Sequence, residues 1–249
     1  MGLFSNLFGK KRQAVPPLDY GVLKCDVHSH FIPGIDDGAP DLAASMELLQ
    51  AMYDLGYRKV ITTPHSMADG YKNPPEVILG GLEKLRRAVQ EAKLPMEVDA
   101  AAEYYLDHAL QEKVAAQKVL TIGHDMVLFE LPFISEPNVL MNMVFEMQTQ
   151  GYTPVLAHPE RYQYWHVNMD TMEQLKDRNV LFQLNIIALG GAYGPSTQKA
   201  AERIVDKGWY ELVGSDCHSM KHIAAMEATR TEPYLHKVVE SGKLLNPTL

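Results

Sequence analysis

The residues of this chain best suited to chemistry are histidines and carboxylates. They begin with Asp26-Val27-His28-Ser29-His30. Residues two apart on an extended strand point to the same face, so His28 and His30 project side by side, as two metal ligands would. The loop Gly34-Ile35-Asp36-Asp37-Gly38 follows and can return a carboxylate, Asp36 or Asp37, to the same place. Further on come His65 after Thr63-Pro64, Glu103 before two tyrosines, Glu130 at the end of an apolar run, His158 three residues before Arg161, and Asp216 with His218. Taken singly, several have ordinary readings. Asp216 suits a helix cap, His65 a loop histidine, and His158 with Arg161 a loop anchor. Glu130 sits among Val127, Leu128, Phe129 and Leu131, where a carboxylate needs a partner.

Together, His28, His30, Asp37, His65, Glu103, Glu130, His158, Asp216 and His218 exceed what one tetrahedral zinc needs. Nitrogen and oxygen donors without a thiolate suit two or three divalent ions, such as manganese, iron, zinc, cobalt or magnesium. The four carboxylates carry −4. Three divalent ions leave such a cluster at +2, or +3 with Arg161, whereas two leave it neutral. A positive cluster suits a phosphate dianion and activated water. The cysteine route to phosphate ester cleavage is excluded, because it needs an arginine six positions after the cysteine. Cys25 and Cys217 are followed at that distance by Phe31 and Ile223.

These groups must be positioned by elements whose periodicity can be read. Strands are expected over Val22–Val27, Arg58–Thr63, Met96–Ala102, Met126–Leu131, Thr153–Ala157, Val180–Asn185 and Tyr210–Val213. Helices are expected over Asp41–Leu55, Pro74–Ala92, His108–Gln117, Asn138–Gln150, Met169–Arg178, Pro195–Lys207 and a tail near Ile223–Val239. Several strands are solid apolar runs, as in a parallel sheet covered on both faces. The ligand-type residues fall at strand C-terminal ends. A closed barrel gathers those ends at one mouth, whereas an open sheet spreads them apart. The expected fold is therefore α/β, a distorted seven-stranded parallel barrel. His108, His124, His166, His222 and His236 have no such placement.

The 249 residues, 46% hydrophobic and 22% charged, suit one large globular domain over residues 19–249. Residues 1–18 read as a flexible N-terminal arm before it, apolar then basic, with contact to a membrane surface or a partner as the sharper alternative. The net charge of −8 argues against a nucleic-acid surface. Two unpaired cysteines point to a reducing, cytoplasmic setting, and no apolar run reaches membrane-span length.

The motifs Asp26-Val27-His28-Ser29-His30, Gly34-Ile35-Asp36-Asp37-Gly38, Thr63-Pro64-His65, Ala102-Glu103-Tyr104-Tyr105, Phe129-Glu130, Ala157-His158-Pro159-Glu160-Arg161-Tyr162 and Ser215-Asp216-Cys217-His218 resemble, in order, those of the PHP (polymerase and histidinol phosphatase) superfamily of metal-dependent phosphoesterases. Within it, they are nearest the bacterial capsule and exopolysaccharide tyrosine phosphatases. The resemblance implies a TIM-like (β/α)7 barrel with three ions. It implies one ion on His28, His30, Glu103 and Asp216, and a second on Glu103, His65 and Glu130. It places the third on Asp37, His158 and His218. It gives Arg161 the phosphate, leaves a metal-site histidine, His158 or His218, as proton donor, and implies a phosphotyrosine protein substrate such as a bacterial tyrosine kinase of polysaccharide synthesis or export, at the inner face of the membrane. The family tends to carry a second arginine shortly after the Asp-x-His motif. Here the stretch is Ser219-Met220-Lys221-His222, so Lys221 or His222 is the substitute. Three rivals share parts of the pattern: a small-molecule phosphatase such as a histidinol-phosphate phosphatase, a PHP-type nuclease, and a metal-stabilised binding protein of low activity.

Overall fold

A computed structural model describes residues 15–249. Most of the arm expected over residues 1–18 lies outside them. Leu18 is already tied to the body, since its backbone N–H donates to the Arg230 carbonyl and its own carbonyl accepts from Arg230 Nε.

The chain runs β1 (Cys25–Asp26), α1 (Leu42–Asp54), β2 (Lys59–Thr62), β3 (His65–Ser66), α2 (Pro75–Glu91), β4 (Glu97–Ala100), β5 (Glu103–Tyr105), α3 (His108–Ala115), β6 (Met126–Glu130), α4 (Leu140–Thr149), β7 (Thr153–Ala157), α5 (Asp170–Asp177), β8 (Leu181–Asn185), α6 (Ile186–Leu189), α7 (Pro195–Lys207), β9 (Leu212–Gly214), α8 (Met220–Thr229) and α9 (Pro233–Glu240). Helix ends follow local chemistry. The Asp41 carboxylate accepts the Ala44 N–H at the start of α1. Pro75 and Pro195 occupy first turns, where a missing N–H costs nothing. Gly208, at φ 68°, closes α7.

Among the described residues the named strands pair with one another in parallel, in the orders β1-β2-β4 and β3-β5-β6-β7-β8-β9. Residues 63–64 interrupt one stave, between β2 and β3, and residues 101–102 another, between β4 and β5. The short strands therefore make seven bent or straight staves. The curl closes between last and first. Ser29 bridges Cys217 in parallel, the His30 N–H donates to the Cys217 carbonyl, and the Asp216 N–H donates to the His28 carbonyl. This is the distorted seven-stranded α/β barrel that the pattern of strand ends requires.

Alternation along the staves sorts the core into two clusters. Val127, Phe129, Leu156 and Val213 join helix residues such as Leu48, Leu85, Val144 and Ile204 in the outer layer. Cys25, Val27, Ile61, Leu128, Val155, Ala157 and Leu212 form a separate cluster without helix residues, inside the curl. Glu130 follows Leu128, and Gln183 follows Leu181, on that inward side. Polar side chains thus stand on top of an apolar plug, at the strands' C-terminal ends.

Three segments depart from expectation. Residues 20–23 form a 3-10 turn in place of a strand. Asp19 accepts the Gly21 N–H there, and buried Tyr20 donates its hydroxyl to the Met226 carbonyl. The tail is two helices, broken before Pro233, which cannot supply a helical N–H. The short α6 was not anticipated; the Asn185 side chain starts it by accepting the Ile187 N–H.

Candidate active site

Glu103 stands at the centre, wholly buried. Its Oε2 lies 3.3 Å from His28 Nε2, 3.6 Å from His30 Nε2 and 3.1 Å from His65 Nδ1, and its Oε1 lies 3.0 Å from His158 Nε2. Asp216 Oδ1 is 3.5 Å from both His28 Nε2 and His30 Nε2. Glu130 closes another side, 3.3 Å from His65 Nδ1 and 4.0 Å from His158 Nε2. Asp37, 54% exposed, reaches in from its loop to lie 3.5 Å from both His65 Nε2 and His218 Nε2.

All the residues expected to ligate are therefore brought together, though the atoms that lie nearest one another differ from one expected grouping. His158 faces Glu103 and Glu130, not Asp37 and His218. The groups whose donor atoms converge are His30 with Asp37, His65 and His218; His28 with His30 and Asp216; His28 with Glu103 and His158; and His65 with Glu103 and Glu130. The loop geometry explains the exchange. β3 and Asp37 lie on the same side of the mouth, because the Asp36 carboxylate accepts the His65 N–H.

The outer nitrogens of these rings are held. His28 Nδ1 is 2.6 Å from Gln183 Oε1, His30 Nδ1 is 2.8 Å from Asp36 Oδ2, and His218 Nδ1 is 2.9 Å from the Asp216 carbonyl. Each acceptor fixes the proton on Nδ1 and turns a lone pair on Nε2 inward. In spite of burial, His28 Nε2, His30 Nε2, His65 Nδ1, His158 Nδ1 and Glu103 Oε2 have no hydrogen-bond partner among the described residues. Orphaned polar atoms are costly in a protein interior. Divalent cations among these atoms would satisfy donors of the type they prefer, so the residues present fit a metal centre.

The electrostatics agree. Burial alone would lower His28, but Glu103 and Asp216 raise it to about 9. Burial likewise opposes the charge on His65, and Glu103 and Glu130 raise it to about 10. Burial would raise the carboxyls of Glu103 and Asp216, yet the surrounding imidazoles hold both well below the usual carboxylate range. His158 moves the other way, lowered by burial and by Arg161. The pocket thus carries a strongly negative field that draws in positive charge.

The backbone pays locally for this gathering. His158 and Asp216 adopt left-handed conformations, at φ 34° and 50°. Such strain in non-glycine residues concentrates at functional sites. Arg161 NH1 donates to Asp216 Oδ2 at 2.8 Å, and its guanidinium lies between the rings of Phe133, at 4.8 Å, and Tyr193, at 4.6 Å. The cavity above, about 370 Å³, is lined by both rings, Met67, Arg161, His222 and most of the candidate ligands.

A sequence model of the family described as "Capsular polysaccharide synthesis, CpsB/CapC" matches residues 24–241. The chain belongs to the CpsB/CapC family. Its relatives include the tyrosine-protein phosphatase YwqE of Bacillus subtilis, 29% identical over 79% of this chain and 78% of that one. Another is the tyrosine-protein phosphatase CpsB of Streptococcus pneumoniae, 24% identical over 78% and 83%. A crystal structure described as that of the metal-dependent tyrosine phosphatases YwqE and CpsB superposes with a TM-score of 0.78 at 27% identity, covering 90% of each chain. The histidinol phosphate phosphatase of Lactococcus lactis shares the fold, with a TM-score of 0.53 at 11% identity over 88% of this chain and 94% of that one.

Four contributors in this CpsB/CapC chain were not singled out from sequence. Gln183 orients His28, and Asn185 Nδ2 donates to Asp216 Oδ2 at 3.0 Å. Both are polar positions in the otherwise apolar Leu181-Phe182-Gln183-Leu184-Asn185, which is a legible signal. Phe133 and Tyr193, on connecting loops, left none. Of the two candidates for the place of a second arginine, His222 lines the cavity and accepts the His218 N–H at Nδ1, whereas Lys221 is exposed and does not line it.

Proposed function

We propose that the protein is a metal-dependent phosphatase that hydrolyses phosphotyrosine on protein. Its substrate would be a bacterial tyrosine kinase of polysaccharide synthesis or export, met at the cytoplasmic face of the membrane. The cluster of buried imidazole and carboxylate atoms without hydrogen-bond partners, with Arg161 beside it, carries the reading. The similarity to YwqE and CpsB supports the substrate class.

His28, His30, Glu103 and Asp216 would hold one divalent ion; Glu103, Glu130 and His158 a second; and Asp37, His65 and His218 a third, with manganese preferred. When bound, the ions supply charge for the phosphoryl oxygens and activate water for in-line attack. The side chains do the rest. Gln183 and Asp36 fix the rings. Asp216 and the two flanking aromatic rings hold the Arg161 guanidinium at the mouth, where it grips non-bridging phosphoryl oxygens as charge shifts. His158 and His218 line the same cavity; the nitrogens that would hold ions carry no proton to give, so a departing oxygen would take one from water. Tyrosine phenolate, with a pKa of about 10, makes modest demand on that proton.

The test is metal reconstitution with elemental analysis, followed by parallel kinetics on a phosphotyrosine peptide and histidinol phosphate. Manganese-dependent turnover favouring the peptide by tenfold or more is expected. The reverse preference would assign the site to small molecules. Bound metal without turnover of either substrate would make it a structural centre. Arg161→Ala should lower kcat/KM by about 100-fold, the scale of losing a transition-state donor.

A further inference from the structure

Phe133 stands apart from the other large apolar residues at the mouth. It is 43% exposed, yet its ring is held at defined distances from catalytic groups. It stacks on His158 at 5.7 Å and 24°, and lies 4.8 Å from the Arg161 guanidinium. Behind it, Tyr162 packs at 5.5 Å, and Tyr162 in turn packs on Tyr164 and Trp165. The loop that carries it is pinned to the loop after β7. Tyr164 donates its hydroxyl to the Pro132 carbonyl at 3.1 Å, and Glu136 accepts from Trp165 Nε1. An exposed ring on a braced loop keeps one face toward the cavity at little further entropic cost when a substrate arrives.

We propose that Phe133 is the specificity-determining residue of the site. Its ring packs against the flat aromatic leaving group of the substrate, so that aryl phosphates are selected over alkyl phosphates. The inference rests on the phosphatase reading above and deepens it. A phosphoryl group gripped by Arg161 has its ester oxygen directed out of the cavity, past the two rings that flank the guanidinium. Tyr193, the other ring, is committed on its edge: its hydroxyl accepts from Asn185 Nδ2 at 3.2 Å and lies 3.5 Å from Asp216 Oδ2. Phe133 has no polar atom to commit, is 43% exposed, and lines the cavity. A wall of this kind favours a planar π-face over a serine or glycerol chain through ring–ring packing.

The test compares Phe133→Ala, Phe133→Leu and Phe133→Tyr with the unaltered manganese-loaded protein on phenyl phosphate and glycerol 2-phosphate. Phe133→Ala and Phe133→Leu should lower the phenyl-to-glycerol ratio of kcat/KM about three- to tenfold, chiefly through KM for phenyl phosphate, and Phe133→Tyr should restore it. Arg161 keeps Asp216 and Tyr193 in every variant, and a grip weakened by loss of the Phe133 contact would act on both esters alike and leave their ratio unchanged. An equal loss on both substrates would show that the ring only props Arg161 and His158, and would overturn the proposal. An unchanged ratio would overturn it as well. Absence of turnover by the unaltered protein on either ester is a different result, which removes the phosphatase reading itself.

Discussion

At the scale of single residues, Asp36 and Asp37 are adjacent carboxylates with opposite fates. Asp36 is turned inward and fully engaged: Oδ2 meets His30 Nδ1 and the His65 N–H, and Oδ1 accepts the Gly38 N–H. Asp37 presents its oxygen to His65 and His218, and its hydrogen bond to His218 holds it at about 2. Asp36→Asn should therefore loosen the metal centre without removing a ligand. An amide puts an N–H₂ or a weaker acceptor against His30 Nδ1–H. Metal affinity measured by chelator competition should fall about 10- to 100-fold, while kcat at saturating metal stays within a few-fold. Loss confined to kcat would show that Asp36 acts on the reaction instead of on the ring. Composition and spacing could offer both aspartates but not choose between them, because a turn of one residue decides which side chain faces in. His222 could not be chosen over Lys221 for a related reason. Its ring reaches the cavity only because α8 starts immediately after the strained Asp216 segment.

At the scale of elements, the solid apolar runs of β6, β7 and β8 made the middle of the sheet legible. The first and last segments were less so, since β1 is only two residues long and its neighbours are set by capping and tertiary contact. Bent staves were invisible in the sequence for the same reason: no local pattern marks where a strand leaves one sheet and joins another. The tightness of the strand ends can be tested at Gly214, the last residue of β9. A Cβ there would lie 2.6 Å from His28 Cβ and 2.7 Å from Gln183 Nε2. Gly214→Ala should displace His28 together with its orienting partner, lowering stability by about 1–3 kcal/mol in denaturant titration and weakening metal binding in the same variant.

The segment after β7 makes a separate prediction. Glu160 is wholly buried, accepts the Asn185 N–H at 3.0 Å through Oε1, and has no partner for Oε2 among the described residues. Burial lifts its carboxyl to about 8, although backbone hydrogen bonds and Arg161 oppose the rise. A carboxyl raised on folding binds its proton more tightly in the native state. Its contribution is complete below the unfolded value near 4.5 and is lost as pH rises toward 8. Stability of the metal-free protein should decline across that window, and Glu160→Gln should flatten the decline by a few kcal/mol. A variant with the wild-type slope would assign the titration to another group.

At the scale of the whole molecule, the candidate metal centre lies across the place where the barrel closes. His28 and His30 belong to the first stave, Asp216 and His218 to the last, and the two meet through few backbone contacts. Asp26 reinforces them by accepting the Ser215 N–H and hydroxyl, both at 2.8 Å. The central staves are joined more extensively, as in the pairing of Met126–Phe129 with Thr153–Leu156. Ions held by residues from both sides of the seam would act as staples there, and removing them should open the seam before the rest of the sheet. Metal removal by chelation should therefore lower Tm, because ions bind the folded state. In hydrogen exchange, the amides of His30, Ser215 and Asp216 should lose protection by at least tenfold, with much smaller changes at Leu128 and Phe129. A uniform rise in exchange would mean that the ions stabilise the barrel as one unit. An unchanged Tm after verified metal removal would mean that the seam is held by Asp26, Ser215 and the backbone bonds alone.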